Sequence, residues 1–289
     1  MKRLVYTLLL PLLAWYGCRK DVVLKMPNYE QKVVVEASIE TGSPATVFLS
    51  YSVPYFGEFD FTKPDSAFVK GAVVSITDGV KSETLTEADP AIGYFYYGLN
   101  LRGEVGKSYT LTVTLNGKSF SASTSIRQPV ALDSLFFRGD TPKDSLGFIW
   151  QRFSEPAGAG NYYRWYAKRL GRDNFYAAPF NSVFDDKFVD GKQFEFGYDR
   201  GPQPNQLQQN REDPERGYYK RGDTVVVKFC HIGKREFDFW NTYYQNKLSN
   251  SNPFSSPANI ASMFTDYREA FGAFVGYSPV FDTIVIPKN

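Results

Sequence analysis

The sequence predicts a mostly β protein: an immunoglobulin-like β-sandwich over residues 32–128, then a second β-rich domain over 129–289 that carries one helix. Three observations lead there. Aromatic side chains, which favour pleated and half-buried surfaces, make up 17% of the chain, with 25 Phe and 20 Tyr. Short β-branched runs recur between turns rich in Gly, Pro, Asn and Asp. One stretch alone has clear helical periodicity.

The strands follow in order. Lys32 to Glu40 and Ala45 to Val53 are split by the turn chemistry of Thr41-Gly42-Ser43-Pro44. Ala72 to Thr77 meets Asp78-Gly79 and then Lys81 to Thr86, a hairpin signal because a type I′ turn needs positive φ at both central residues. Tyr109, Leu111, Val113 and Leu115 alternate with threonines, so that strand has one buried and one wet face. Asn116-Gly117 turns the chain and Lys118 to Ile126 runs back. Residues 32–127 thus hold about seven short strands, the number and spacing of an immunoglobulin-like sandwich without its Cys pair.

Gln128-Pro129 marks a boundary. Beyond it come Leu132 to Phe137, Leu146 to Phe153 and the aromatic run Tyr162 to Tyr166. Asp190-Gly191 predicts a hairpin between Phe184 to Val189 and Lys192 to Phe196. Residues 199–217 hold four Gln and three Pro and read as a solvated polar loop. After a strand at Thr224 to Phe229, a helix is expected over 235–248, with Phe237, Trp240, Tyr244 and Leu248 on one face. Ala270 to Tyr277 and Phe281 to Ile286 read as two closing strands.

The first residues concern address. Lys2 and Arg3 precede the apolar run Leu4 to Leu13, the pattern of a secretory signal peptide over 1–17 and too short to span a bilayer comfortably. Gly17 before Cys18 resembles the lipobox of bacterial lipoproteins, in which the Cys thiol carries the lipid. Trp15 and Tyr16 depart from the usual pattern. Residues 18–31 read as the lipidated Cys and a tether, and Arg19 leaves no inner-membrane retention Asp at that place, so an outer-membrane, lipid-anchored address at the cell surface is expected. Cleavage would take two of the 33 basic residues and leave 31 basic against 31 acidic groups. That balance argues against nucleic acid as a partner. Cys230 would then be the one other thiol, sitting in an apolar run as a small core residue.

The chemistry-bearing residues are sparse. One His and two Cys cannot build a His- or Cys-rich metal site. Asp185, Asp186 and Asp190 cluster in FDDKFVDG but lack calcium-loop spacing, and the Asp190-Gly191 turn explains one of them, so no metal and no cofactor is expected beyond the lipid on Cys18. His231 and Cys230 are strand neighbours that point to opposite faces and cannot form a catalytic pair. Arg138-Gly139-Asp140 and Arg221-Gly222-Asp223 are adhesion-type tripeptides beside strand ends, where Gly and Asp are ordinary turn residues. No catalytic residue is assigned. The expected contact surface is aromatic: Tyr51, Tyr55, Phe56 and Phe59 in the Pro- and Gly-broken stretch YSVPYFGEFDF, with Tyr96 and Tyr163 from the two Tyr-rich blocks.

Several segments taken in order resemble the domain-of-unknown-function family DUF4249, lipoproteins of the Bacteroidota lineage. They are Cys18 with its tether, VVVEASIE, SYSVPYF, AVVSITDG, GKSYTLTV, QPVALDSLFF, FDDKFVDGKQF, NPFSSPANI and FGAFVGYS. The resemblance implies a surface lipoprotein, commonly encoded beside TonB-dependent outer-membrane receptors, and supplies no catalytic residues. The expected function is therefore a non-enzymatic accessory or lid subunit of a TonB-dependent transporter, with outer-membrane lipid and the TonB-dependent receptor as partners. The alternative is a stand-alone surface protein that binds a glycan or peptide ligand.

Overall fold

Side-chain alternation places the longer strands of the first half. The computed structural model describes residues 30–53, 64–140, 143–203, 213–250, 259–265 and 270–288. Strand β1 (Val33–Glu40) buries Val33, Val35, Ala37 and Ile39 and turns Glu36 outward. Strand β2 (Pro44–Tyr51) pairs with it antiparallel and buries Ala45, Val47 and Leu49. There follow β3 (Val73–Thr77), β4 (Ser82–Thr84), β5 (Thr86–Glu87), β6 (Tyr96–Arg102), β7 (Ser108–Leu115) and β8 (Lys118–Ser125). They form two layers, β1-β2-β6-β5 and β4-β3-β7-β8. In immunoglobulin lettering that is A-B-E-D facing C′-C-F-G, so the immunoglobulin-like sandwich expected from about seven short strands forms with eight.

A further immunoglobulin trait went unread. Tyr109, at the start of β7, is buried, and its hydroxyl accepts from Glu104 N at 2.8 Å and donates to Arg102 O at 3.2 Å. This is the tyrosine corner that ties the β6–β7 connection to the following strand. The hairpins differ in kind. Between β7 and β8, Asn116 (φ 52°) and Gly117 (φ 77°) make the two-residue turn with positive φ at both positions. Between β3 and β4 the loop is four residues, 78–81, and the Asp78 carboxylate closes it by accepting from Val80 N and Lys81 N.

The second half contributes β9 (Ser134–Asp140), β10 (Lys143–Ser154), β11 (Tyr162–Arg169), β12 (Val183–Asp185), β13 (Gln193–Tyr198), β14 (Tyr219–Lys220), β15 (Thr224–Ile232), the helix α1 (Lys234–Asn250) and β16 (Ala270–Val285). Strands β9, β10, β13 and β14 form one sheet, which packs against β11 and β15 around Ile149, Phe153, Trp165, Val227 and Phe229. The 184–196 hairpin does not form. β12 pairs with β11, whereas β13 pairs with β10 in the other sheet. Chain reversal at Asp190-Gly191 is a change of layer, held by Val189 N and Asp190 N on the Asp186 carbonyl.

The two closing strands are one. β16 runs unbroken for 16 residues, and it changes partner midway: Ala270–Tyr277 lies parallel to β1, and Ser278–Val285 lies antiparallel to β15. At the close approach to β1, a Cβ on Gly272 (φ +148°) would collide with the Val35 carbonyl, so glycine is required there. The resulting sheet, β12-β11-β15-β16-β1-β2-β6-β5, crosses the Gln128-Pro129 junction, and residues 31–289 form one compact unit. Two cores persist within it. The first draws on residues beyond 128, among them Cys230, Phe239, Phe264 and Phe274.

Helix α1 lies over β11, β12 and β16. Its stripe consists of Phe237, Phe239, Trp240 and Tyr244; Leu248, expected on that face, is 55% exposed. No described helix is long and apolar enough to cross a membrane. Residues 1–29, and with them the signal peptide, Cys18 and most of the tether, lie outside the described residues, as do 204–212 of the polar loop.

Candidate functional site

The outer face of β1, β2 and β6 carries the side chains that alternation excludes from the core. From β2 these are Thr46, Phe48 and Ser50, and from β1 they are Val34 and Glu36. Phe95, just before β6, continues the row: its ring lies 5.8 Å from that of Phe48 and 5.8 Å from that of Tyr97. A backbone bridge from Ser50 to Phe68 places Phe68 at the rim, where it stacks on Tyr94 at 4.7 Å and 11°. On the far side the 170–177 connection after β11 brings Phe175 and Tyr176 over the same floor. Together these residues enclose a groove of about 930 Å³. Phe48 and Phe175 are 47% and 56% exposed, which is high for phenylalanine. Glu36 is exposed on the groove floor and, among the described residues, makes neither a hydrogen bond nor an ion pair.

Next to the groove, the same sheet face holds a ladder of cations and rings. Lys228 pairs with Glu40 and lies 5.3 Å, 5.4 Å and 5.9 Å from the ring centres of Tyr277, Tyr166 and Tyr176. Arg164 is buried with no carboxylate in ion-pair range among the described residues; its guanidinium lies 3.4 Å from the Trp240 ring centre and donates to Tyr277 Oη at 2.7 Å. Ring faces and a phenol oxygen thus stabilise a charge that would otherwise be costly in the interior. Burial pushes the Tyr277 phenol up to about 12 and the Cys230 thiol also up to about 12, so both stay protonated at neutral pH.

The sequence-selected residues divide. Tyr51 is half-buried against the first core. Tyr96 and Tyr163 are 2% and 0% exposed and are corrected to core residues. Tyr96 has the inward parity on β6, and its hydroxyl accepts from Ala72 N and donates to Val69 O. The outward members of that block are Phe95 and Tyr97. Tyr163 stacks on Phe229 at 5.3 Å and donates to Glu155 Oε1 at 2.9 Å. Tyr55, Phe56 and Phe59 lie outside the described residues, in the segment between Val53 and Pro64. Sequence reading missed Phe48, Phe68, Phe175 and Tyr176, and from the block of residues 94–97 it took Tyr96 in place of the groove members Tyr94 and Phe95. For Phe48 the signal was present: in PATVFLSY the small and aliphatic Ala45, Val47 and Leu49 set the buried parity and leave Phe48 outside.

Glu155, Asp186 and Asp190 bring ligand-type oxygens within 4.8 Å of one another, while Asp185 is not among them. These are the residues whose chemistry could suit a hard cation. N–H groups already serve them: Gly160 N and Asn161 N bind Asp186 Oδ2, Gly158 N binds Asp190 Oδ1, and Gly191 N binds Glu155 Oε2. The arrangement clamps the 155–161 loop to the 186–191 turn. Both tripeptide aspartates are also engaged: Asp140 accepts from Tyr218 Oη, and Asp223 pairs with Arg172 at 2.9 Å. Cys230 lies in the first core, while the His231 ring stacks on Tyr163 on the opposite face, so the two do not meet.

No curated protein matches this chain in sequence. The family model described as Domain of unknown function (DUF4249) matches residues 19–280, nearly the whole length. A chain matched over this span belongs to the DUF4249 family.

Proposed function

We propose that this protein is a non-enzymatic outer-membrane lipoprotein, anchored at the cell surface through Cys18, that serves as an accessory or lid subunit of a TonB-dependent transporter. The observation that carries the reading is the exposed aromatic groove of Phe48, Phe68, Tyr94, Phe95, Phe175 and Tyr176 on an otherwise regular sheet face. Rings displayed on a rigid sheet lose little conformational freedom when they are covered, and aromatic anchors of this kind dominate protein interfaces. The lipobox-like Gly17-Cys18 supports the anchor. The test is affinity purification of the tagged, full-length protein from outer membranes in mild detergent. An outer-membrane barrel should copurify and should be lost from the Phe48→Ala, Phe175→Ala double variant. Recovery without any barrel overturns the transporter role, and membrane association that persists in Cys18→Ser overturns the lipid anchor.

The groove volume supports a second reading. About 930 Å³ lies within the range of small-ligand sites, which suits a stand-alone glycan- or peptide-binding lipoprotein. Ligand-array binding that depends on Phe48 and Tyr94, in a preparation free of any barrel, would favour it.

A further inference from the structure

We infer that the groove recognises a cationic side chain of a partner protein, a lysine ammonium or arginine guanidinium seated over Glu36 among the aromatic rings. The inference rests on the reading of the groove as a binding surface and names the chemistry that fills it. Charge is the first argument. The lining residues comprise one carboxylate, Glu36, several hydroxyl groups and six aromatic rings, with no basic side chain among them; Lys70 Nζ lies beside the rim, 4.9 Å from the Tyr94 ring centre. Ring faces carry negative potential and attract cations but not anions, and a carboxylate beneath them adds to the same sign of field.

The second argument is an arrangement of the same kind on the same strand. Glu36 and Glu40 both project from the outer face of β1, two pleats apart. At Glu40 the chain supplies its own cation: Lys228 pairs with the carboxylate and is surrounded by Tyr166, Tyr176 and Tyr277. Tyr176 also lines the groove above Glu36. Glu36 therefore has an aromatic surround that shares a ring with the Glu40 box, yet it forms no ion pair with a described residue and meets the charge of the buried Arg164 only at longer range. The third argument is size. About 930 Å³ far exceeds one ammonium group, so the apolar remainder, formed by Val34, Phe48, Ile92 and Phe95, fits the neighbours of that cation in a polypeptide segment.

The experiment uses the full-length protein in detergent micelles and fluorescence anisotropy. One probe is a labelled peptide of alternating phenylalanine and lysine; the second is the same peptide with its lysines acetylated. Maltohexaose serves as a neutral competitor. The free-lysine peptide should bind at least about tenfold tighter than the acetylated one, the size expected of one desolvated cation–π and charge contact. Glu36→Gln should bring that ratio close to one while the circular dichroism spectrum stays that of the native β fold, since Glu36 is exposed and makes no hydrogen bond or ion pair with a described residue. Phe48→Ala should weaken both peptides. Equal affinities for the two peptides, or a preference that survives Glu36→Gln, would overturn the inference. Competition by maltohexaose together with loss of charge preference would also overturn it while leaving the groove as a binding surface. The transporter role is judged separately, by barrel copurification.

Discussion

The two cores of this molecule differ in how far aromatic rings fill them. In the second, Phe153 lies edge-on to Tyr163 at 5.0 Å, Phe229 at 5.2 Å and Phe194 at 5.8 Å, with Phe184 and Phe196 completing the cluster. In the first, the interior is chiefly Val, Ile, Leu and Ala, and many of the rings stand outside on the sheet. An aliphatic sandwich is already well packed without those outer rings, so their packing there serves something other than its core. Charge differs between the groove and the loops. Ion pairs tie loops in both halves, Lys107 to Glu104 at 2.9 Å and Arg169 to Asp173 at 2.7 Å, whereas Glu36 on the groove floor makes no ion pair with a described residue.

Truncating a ring from each region sharpens the contrast. Phe153→Ala should cost about 3–5 kcal/mol in denaturant melts, because it opens a cavity among rings that cannot collapse. A cost below about 1 kcal/mol would mean that the aromatic core is loosely packed. Next in size is Glu155→Ala, which removes the acceptor for Tyr163 Oη, Asn161 Nδ2 and Gly191 N. It should cost about 2–3 kcal/mol and leave the phenol buried without a partner, a loss that hydrogen exchange in the 155–161 loop would localise.

Acid titration separates the regions by sign. Glu215, hydrogen-bonded by Arg172 and then Lys220, is held down to about 2, so its contribution is present above the ordinary value of 4.5 and is lost as the pH falls from 4.5 towards 2. Glu236 on α1 behaves in reverse. Burial raises its carboxyl above 4.5, only partly offset by the Thr124 hydroxyl, which donates to it at 2.5 Å. A raised folded-state value favours the protonated form, so stability falls as the pH rises from 4.5 through that value. Glu236→Gln should therefore melt higher than the native chain at pH 7, and the advantage should vanish below pH 4.5. An advantage independent of pH would rule out ionisation as its cause. The smallest effect on stability is expected at the groove: Phe48→Ala should change unfolding by no more than about 0.5 kcal/mol while abolishing partner capture. A loss of several kcal/mol would make Phe48 a core residue and remove the comparison.

How far the sequence could be read depended on whether a signal was local. Asn116-Gly117 specified its hairpin because two adjacent residues needing positive φ permit little else. The same reasoning failed at Asp190-Gly191, where Glu155 and Asp186, contributed by separate segments, hold the turn between two different sheets. The Tyr94 to Tyr97 block was visible as an aromatic surplus, but its parity was not, since four adjacent rings offer no contrast between faces. Phe175 and Tyr176 could not have been joined to Phe48 by any local pattern, because the groove exists only where a connection after β11 crosses the face of β2.

By itself, the sequence determined the β class, the immunoglobulin-like run of short strands over residues 32–128, the helix near its observed bounds and the family. These follow from periodicity, turn chemistry and ordered motifs, all of which act over a few residues. Tertiary structure decided which strands are neighbours and which rings are outside. A strand has the same alternating pattern whether it pairs with β1 or with β15, and β16 does both. Burial is likewise a property of what packs on a residue, so Tyr96 and Phe95, adjacent in the chain, part into core and groove.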